Sequence, residues 1–196
     1  MTVTVAINAG GKSSRMGTDK AFVQLDGKPL IQHVIDRTVD LGQAETILIT
    51  NRPADYAHLG LPMFADVHPD KGSLGGIYTA LTCADNPFVL VLACDMPFVN
   101  PALLKFMLSK ITDDVDIVVP RVDGYPQGLH AIYRKTCLDP IKAQLDMNRL
   151  KVIRFYEEMR VCYLDEDDYN EYDADGQSFA NVNTPDELED ARKQLK

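Results

Sequence analysis

The sequence predicts an α/β fold in which a mostly parallel sheet lies between layers of helices. Three observations carry that prediction. Strand-like apolar runs alternate with segments of helical periodicity along the 196 residues, an order that places crossover helices on both faces of a sheet. The strongest strands, Val3–Asn8 and Phe88–Ala93, are almost uninterruptedly apolar, as strands covered on both faces are. No internal repeat or low-complexity linker divides the chain, so one domain over residues 1–196 is expected, a length typical of single domains.

Each element follows from local pattern. Val3–Asn8 is β-branched and apolar and breaks at Gly10-Gly11. A helix is expected to start near Lys28-Pro29, because proline is tolerated in a first turn. Leu30, Ile31, Val34, Ile35 and Leu41 recur at helical spacing behind it. Thr46–Thr50 reads as a second buried strand and Met63–Ala65 as a short one. Gly72, Gly75 and Gly76 lead into a second helix, with Leu74, Ile77, Tyr78 and Leu81 on one face. After Phe88–Ala93, Asn100-Pro101 has the character of an N-cap and a first helical residue. Asp116–Pro120 and Leu129–Tyr133 are expected strands, Lys135–Gln144 and Leu150–Glu158 expected helices, and Val161–Leu164 a short strand. The last helix, Thr184–Lys196, carries acids in its first turn and bases in its last, which suits the helix dipole.

Composition narrows the functional classes. With 45% hydrophobic and 25% charged residues, the chain has the make-up of a globular protein, which sets aside disordered and fibrous readings. No apolar run approaches the ~18 residues of a membrane span. No basic segment precedes the first apolar stretch, so a secretory signal is not expected either. Cys83, Cys94, Cys137 and Cys162 form no CxxC pair, which suggests neither a zinc ribbon nor a disulfide framework. A reduced, cytoplasmic setting is expected. The net charge is −9, and residues 161–191 hold eleven acids with no lysine or arginine. Such a chain is a poor general binder of nucleic acid, although a small phosphate ligand at a local basic site stays open. The acidic 165–175 run reads as a solvated loop. With no long exposed apolar stripe, a monomer or a weak association is expected.

In open sheets of this kind ligands sit beyond the carboxyl ends of the strands, which directs attention to the loops after residues 8, 50, 65 and 93. The first loop runs Asn8-Ala9-Gly10-Gly11-Lys12-Ser13-Ser14-Arg15-Met16-Gly17-Thr18-Asp19-Lys20. Its glycines let backbone N–H groups approach phosphate oxygens, and Lys12, Arg15 and Lys20 bring cations to the same stretch. A plain turn explains the Gly-Gly pair but not the cations around it. A P-loop ending at Gly11-Lys12-Ser13 would need its opening glycine at position 6, which is Ala6, and the GxGxxG fingerprint is absent.

The stretch NAGGKSSRMGTDKAFVQLDGKPLIQHVI resembles the opening of the molybdenum cofactor guanylyltransferases, the MobA family, whose signature is LAGGxSxRMGxDK followed by a segment like LxGxPL. Gly10, Gly11, Ser13, Arg15, Met16, Gly17, Asp19 and Lys20 match it, as do Gly27, Pro29 and Leu30, while the family's leading Leu is Asn8 here. Asn51-Arg52 stands where the family has a nucleoside-contacting Asn. Asp66 followed by Gly72-Ser73-Leu74-Gly75-Gly76 resembles the family's Asp and GPLAG. Cys94-Asp95-Met96-Pro97 resembles its metal-binding CDxP, and Asn181-Val182-Asn183-Thr184-Pro185 its late NxNTP. The resemblance runs in order through nearly the whole chain. It implies a three-layer, Rossmann-like nucleotidyltransferase fold that moves GMP from GTP to molybdopterin with release of pyrophosphate, with Mg²⁺ as cofactor. Cofactor-insertion proteins or apo-molybdoenzymes are the implied recipients of the product.

By the same resemblance Asn8, Ala9, Gly10, Gly11, Lys20, Asn51, Asp66 and Asp95 bind GTP. Arg15, Lys20 and Asp95 are then catalytic, Asp95 holds the metal, and Asn181 and Asn183 face molybdopterin. The residues themselves offer plainer alternatives at several of these positions. Asp95 follows a buried strand where a crevice should open, and its carboxylate suits Mg²⁺, which takes oxygen ligands; capping of its own turn is the alternative. Asp66 offers acceptors to guanine N–H groups or is an ordinary loop acid. Asn51 reads a base or ribose through its paired donor and acceptor, or is a turn residue. Asn183 or Thr184 caps the last helix in either case. His33 reads as structural, His130 as a core or pterin-side group, and Cys94 as a small core residue. Two rivals remain: a relative using CTP or a sugar-phosphate acceptor, and a non-catalytic nucleotide- or cofactor-binding protein. The retained Arg15, Lys20 and Asp95 argue against the second.

Overall fold

A computed structural model describes residues 2–10 and 19–194 of the chain. At its centre β1 (Val3–Asn8) pairs in parallel with β6 (Phe88–Ala93) on one side and β4 (Glu45–Ile49) on the other. On the far side of β4 lies β5 (Met63–Phe64), also parallel. Beyond β6 come β9 (His130–Arg134), antiparallel to it, and β7 (Ile117–Val122), antiparallel to β9. The outermost strand, β10 (Val161–Leu164), runs parallel to β7. The sheet is thus mostly parallel, as expected, with β9 reversed. Chain length explains the reversal. Residues 123–129 alone join β7 to β9, and a parallel crossover needs about a dozen residues or more. Asp123 and Gly124 have φ of 50° and 76° and turn the chain into β8 (Tyr125–Pro126), which pairs back onto β7.

Alternate residues of the inner strands feed two cores. Val3, Val5 and Ile7 of β1 and Leu90 and Leu92 of β6 pack with Ile31 and Val34 of α1 (Leu30–Thr38) and Leu103 and Met107 of α4 (Pro101–Ser109). Ala6, Ile47, Ile49, Val89 and Val91 face the other side. They meet Leu74, Ile77 and Leu81 of α3 (Gly72–Cys83) and Ile141 and Leu145 of α5 (Leu138–Asp146). Each fully buried Leu or Ile is worth about 1.5–3 kcal/mol, so these two cores hold the three layers together. The Asn100 cap is formed as expected, its Oδ1 accepting from the Ala102 N–H at 2.8 Å.

Four features depart from the sequence reading. The expected helix at Leu150–Glu158 is a 3₁₀ segment over Val152–Glu158. Its apolar pairs, Val152 with Phe155 and Ile153 with Tyr156, are three apart, which matches three residues per turn. The acidic run is not simply a solvated loop. It opens into α6 (Glu166–Tyr169), with a capping box between Asp165 and Asp168, and Asp165 accepts two hydrogen bonds from Arg121 at 2.7 and 2.5 Å. The helix expected near Lys28-Pro29 starts at the next residue, Leu30, with Pro29 as its N-cap. Lys28 and Pro29 themselves form β3 (Lys28–Pro29), paired with β2 (Gln24–Leu25) across Asp26-Gly27, whose φ values are 50° and 74°. A short α2 (Pro53–Tyr56) follows β4.

The chain ends in α7 (Pro185–Gln194). Thr184 Oγ1 accepts from the Glu187 N–H at 3.2 Å, and a Glu187 carboxylate oxygen accepts from the Thr184 N–H at 3.0 Å, a reciprocal capping box. Leu25, Leu30, Phe98, Val182 and Ala191 form a small third core that docks α7, and the segment before it, onto the β2–β3 hairpin. This contact carries residues 181–183 to the end of the sheet where β1 and β6 stop. Among the described residues no helix is long and apolar enough to cross a membrane.

Candidate active site

Because β1, β4, β5 and β6 are parallel, their carboxyl ends open along one edge of the sheet. There the structure holds a cleft of two adjoining lobes, about 410 and 200 Å³, and Asn8, Ala9 and Gly10 line both. The backbone beyond β1 is tied on each side, with Ala9 N–H donating to Ile49 C=O at 3.0 Å and Cys94 N–H to Asn8 C=O at 3.2 Å. Gly11, Lys12 and Arg15 lie outside the described residues, so the roles expected of them cannot be placed on this geometry.

The larger lobe is walled by Asn51, Asp66, Asp70 and Gly72. Asn51 and Asp66 bind each other reciprocally. Asn51 Nδ2 donates to Asp66 Oδ2 at 2.8 Å, and the Asp66 N–H donates to Asn51 Oδ1 at 2.9 Å. Asp66 Oδ1 is buried without a hydrogen-bond partner among the described residues. Leaving a buried carboxylate oxygen unpaired is costly; the Asp66 residue lines the larger lobe, and its Oδ2 is held by Asn51. Asn51 is more than a turn residue, since it orients that carboxylate.

The smaller lobe brings Lys20 and Asp95 together from opposite ends of the sequence. Lys20 Nζ lies 3.9 Å from Asp95 Oδ2 and donates to Asn183 Oδ1. The Val182 N–H donates to Asp95 C=O at 2.9 Å, which locks the 181–183 segment alongside. Burial pushes the Asp95 carboxyl above its ordinary pKa, and the Lys20 charge opposes the rise. Among the described residues no group of three or more His, Cys, Asp or Glu could hold a metal ion. A single buried carboxylate still fits Mg²⁺ in a nucleotide site, where substrate phosphates and water supply the other ligands.

Lys20 is aimed by a cluster that sequence reasoning missed. Asp19 caps the 3₁₀ turn Lys20–Phe22, its Oδ1 accepting from the Ala21 N–H at 3.2 Å. The other oxygen accepts from Arg52 Nη2 and from the Tyr56 hydroxyl at 2.5 Å. Burial first, then this hydrogen bond to Asp19, raises the Tyr56 pKa, so the phenol stays a donor. The sequence signals Asp19 as part of the loop motif; nothing in it points to Arg52 or Tyr56 as its partners.

The other expected residues separate clearly. Asn183 faces Lys20, while Asn181 Nδ2 reaches the Phe179 C=O at 3.5 Å. The last helix is capped by Thr184, which leaves the Asn183 side chain available to Lys20. His130 is fully buried, edge-on to Phe179 with ring centroids 4.8 Å apart. Burial holds its imidazole down at about 3, so it is a neutral core group. His33 bonds Leu25 C=O at 2.9 Å and is structural. Burial, with Asp95 adjacent, pushes the Cys94 thiol up, which rules out a ready thiolate.

Comparison with known proteins bears on the family and the fold. The family model for the MobA-like NTP transferase domain matches residues 5–160. A protein of Natranaerobius thermophilus described as a probable molybdenum cofactor guanylyltransferase is 38% identical over 98% of this chain and 96% of its own length. The molybdenum cofactor guanylyltransferase of Desulfosudis oleivorans is 35% identical over 99% of this chain and 96% of its own. Among solved structures, molybdopterin-guanine dinucleotide biosynthesis protein A from Archaeoglobus fulgidus superposes with a TM-score of 0.84 at 29% identity, covering 98% of each chain. A nucleotidyl transferase from Methanothermobacter thermautotroptrophicus, at 15% identity and a TM-score of 0.72, shares the fold.

Proposed function

The chain belongs to the MobA-like NTP transferase family, and from that premise we propose that it transfers GMP from GTP to molybdopterin, releasing pyrophosphate. The observation that carries this reading is the two-lobed cleft, with the Asn51–Asp66 pair lining one lobe and Lys20 with Asp95 lining the other. A nucleoside with adjacent N–H donors answers the first lobe, and a phosphate chain with a cation answers the second. Guanine offers N1–H and N2–H₂ side by side, which suits an acceptor carboxylate better than cytosine does.

In the proposed reaction a phosphate oxygen of molybdopterin attacks the α-phosphorus of GTP. The new P–O bond forms as the bond to pyrophosphate breaks. A phosphate monoester has a second pKa of about 6, so the nucleophile is already anionic at neutral pH and no general base is needed. Mg²⁺, held by Asp95, supplies charge neutralisation at the phosphates when bound. Lys20 and Arg15 hold the triphosphate, Asn183 and Asp19 keep Lys20 in place, and Asn51 presents Asp66 to the base. Catalysis then rests on positioning and on fixed charge. Turnover of labelled GTP into the pterin dinucleotide tests this directly. Lys20→Ala and Asp95→Ala are expected to lose at least about a hundredfold in rate, and near-native turnover in either would overturn the assignment. The single-domain organisation, a cytoplasmic setting and transfer of the product to insertion proteins or apo-molybdoenzymes belong to the same proposal.

A further inference from the structure

Asn8 is a buried amide at the hinge of the cleft. It ends β1 on the face that packs against α3 and lines both lobes, yet its side chain is only 6% exposed. Its Oδ1 accepts from the Gly10 N–H at 3.0 Å, closing a turn across Ala9. An amide or hydroxyl at this position can make such a turn two residues on, and an aliphatic side chain cannot. The amide also lies flat on α3. A Cβ at Gly76 would come within 2.3 Å of Asn8 Nδ2 and 2.9 Å of its Cγ. A short side chain tethered to a central strand has little room to yield, so any residue but glycine at 76 would rotate the amide off Gly10. Gly10 in turn stands beside the nucleoside lobe, where a Cβ on it would meet Asp66 Oδ2 at 3.6 Å.

We propose that Asn8 is a positioning residue for nucleotide binding, fixing the backbone at Ala9-Gly10 against Asp66, and that Gly76 is its required partner. The amide pins three pieces: the end of β1, the first turn of the glycine-rich loop, and α3. The distance between the loop and the base-side carboxylate is thereby set before a nucleotide arrives, which lowers the ordering cost of binding. The MobA pattern has leucine at this position. A leucine there could not accept the Gly10 N–H, as Asn8 does in this chain. The inference rests on the guanylyl-transfer reading only in taking the cleft to bind GTP.

The test compares Asn8→Leu, Asn8→Ser, Gly76→Ala, Asn8→Ala and the Asn8→Ala/Gly76→Ala double variant. GTP affinity with Mg²⁺, KM and kcat are measured for each, with the thermal midpoint of the free protein as a check on folding. Asn8→Leu is expected to raise the Kd and KM for GTP about tenfold with kcat within about twofold, the loss of one buried hydrogen bond. Asn8→Ser, which keeps a weaker acceptor, recovers part of that loss. Gly76→Ala raises KM in the native background and adds nothing when Asn8 is already Ala, because the space it needs has been vacated. Native GTP affinity in Asn8→Leu overturns the proposal, as does a Gly76→Ala effect of equal size in both backgrounds. Should Gly76→Ala not fold, the Leu and Ser variants decide alone. A native protein that binds no GTP overturns the functional reading instead, so the two failures are distinct.

Discussion

Asp95 and Asp116 lie at opposite edges of one sheet, beyond the end of β6 and before the start of β7, and their charges meet opposite surroundings. Asp116, 5% exposed, accepts from Arg160 Nε and Nη2, each at 2.8 Å, and from the Thr136 hydroxyl at 2.8 Å. The Arg160 guanidinium holds its carboxyl well below the ordinary range. Among the described residues Asp95 has Lys20 at 3.9 Å, and burial pushes its carboxyl up. In the same cleft, one oxygen of Asp66 has no partner among the described residues. At the edge away from the cleft, donors saturate the carboxylate and join strands. At the cleft, the carboxylates have fewer donors among the described residues. The contrast separates an aspartate that stabilises the fold from the aspartates proposed to bind.

That contrast can be broken by removing one charge at each edge. Asp95→Asn is expected to cost at least about a hundredfold in turnover without lowering the thermal midpoint. The sign follows from the raised pKa. The folded state holds the Asp95 proton more tightly than the unfolded state, so stability falls as pH rises through the window between the ordinary and raised values. Neutral asparagine escapes that loss at pH 7, and a midpoint well below native would contradict the account. Arg160→Ala does the reverse. It leaves Asp116 buried and partly unpaired, and the thermal midpoint is expected to fall by a few degrees. Its kcat and KM should stay native. The Asp116 contribution is present above the ordinary carboxylate range and lost as pH falls through the depressed pKa. Unfolding curves of the two proteins should therefore converge in acid.

Two smaller effects sharpen the comparison within the cleft. Asp66→Asn keeps the shape but weakens the acceptor, and is expected to raise KM for GTP about tenfold with kcat within about twofold. A loss confined to kcat would place Asp66 elsewhere in the reaction. The smallest effect is on pH dependence. Mg²⁺-dependent GTP binding should fail on acidification at a higher pH than an exposed aspartate would give, because Asp95 takes up its proton early. In Lys20→Met the limb should move higher still, since the Lys20 charge is what opposes the rise. A limb unmoved by that substitution would separate Lys20 from Asp95.

Much of this is legible in the sequence, and the pattern of what is not is physical. Val3–Asn8 and Phe88–Ala93 could be read because strands buried on both faces leave apolar runs that need no partner to recognise. Asn8, Gly10, Lys20, Asn51, Asp66 and Asp95 come together because parallel strands deliver their carboxyl ends to one edge. The β2–β3 and β7–β8 hairpins, absent from the sequence reading, carry a local signal in Asp26-Gly27 and Asp123-Gly124, residues that tolerate positive φ. The reversal of β9 was implicit in the short link from β7. What sequence could not reveal are pairings across chain distance: Lys20 with Asn183, 163 residues away, and Asp19 with Arg52 and Tyr56, 33 and 37 away. These depend on how α7 and α2 dock, and side-chain pairing at that range leaves no periodic trace. The capping helix in the acidic run was hidden for a related reason, since Arg121, which partners Asp165, lies 44 residues earlier.

The most direct test of a cleft that reads guanine at Asp66 and holds a metal-triphosphate at Asp95 is ligand-induced thermal stabilisation. A ligand that binds only the folded state raises its stability as RT ln(1 + [L]/Kd). Native protein and Asp95→Asn would be heated with GTP, ATP, CTP or UTP, each with and without Mg²⁺. The account predicts a rise for the native protein with GTP that depends on Mg²⁺, and a smaller, Mg²⁺-independent response in Asp95→Asn. Equal shifts for all four nucleotides, or an undiminished Mg²⁺ dependence in Asp95→Asn, would contradict it.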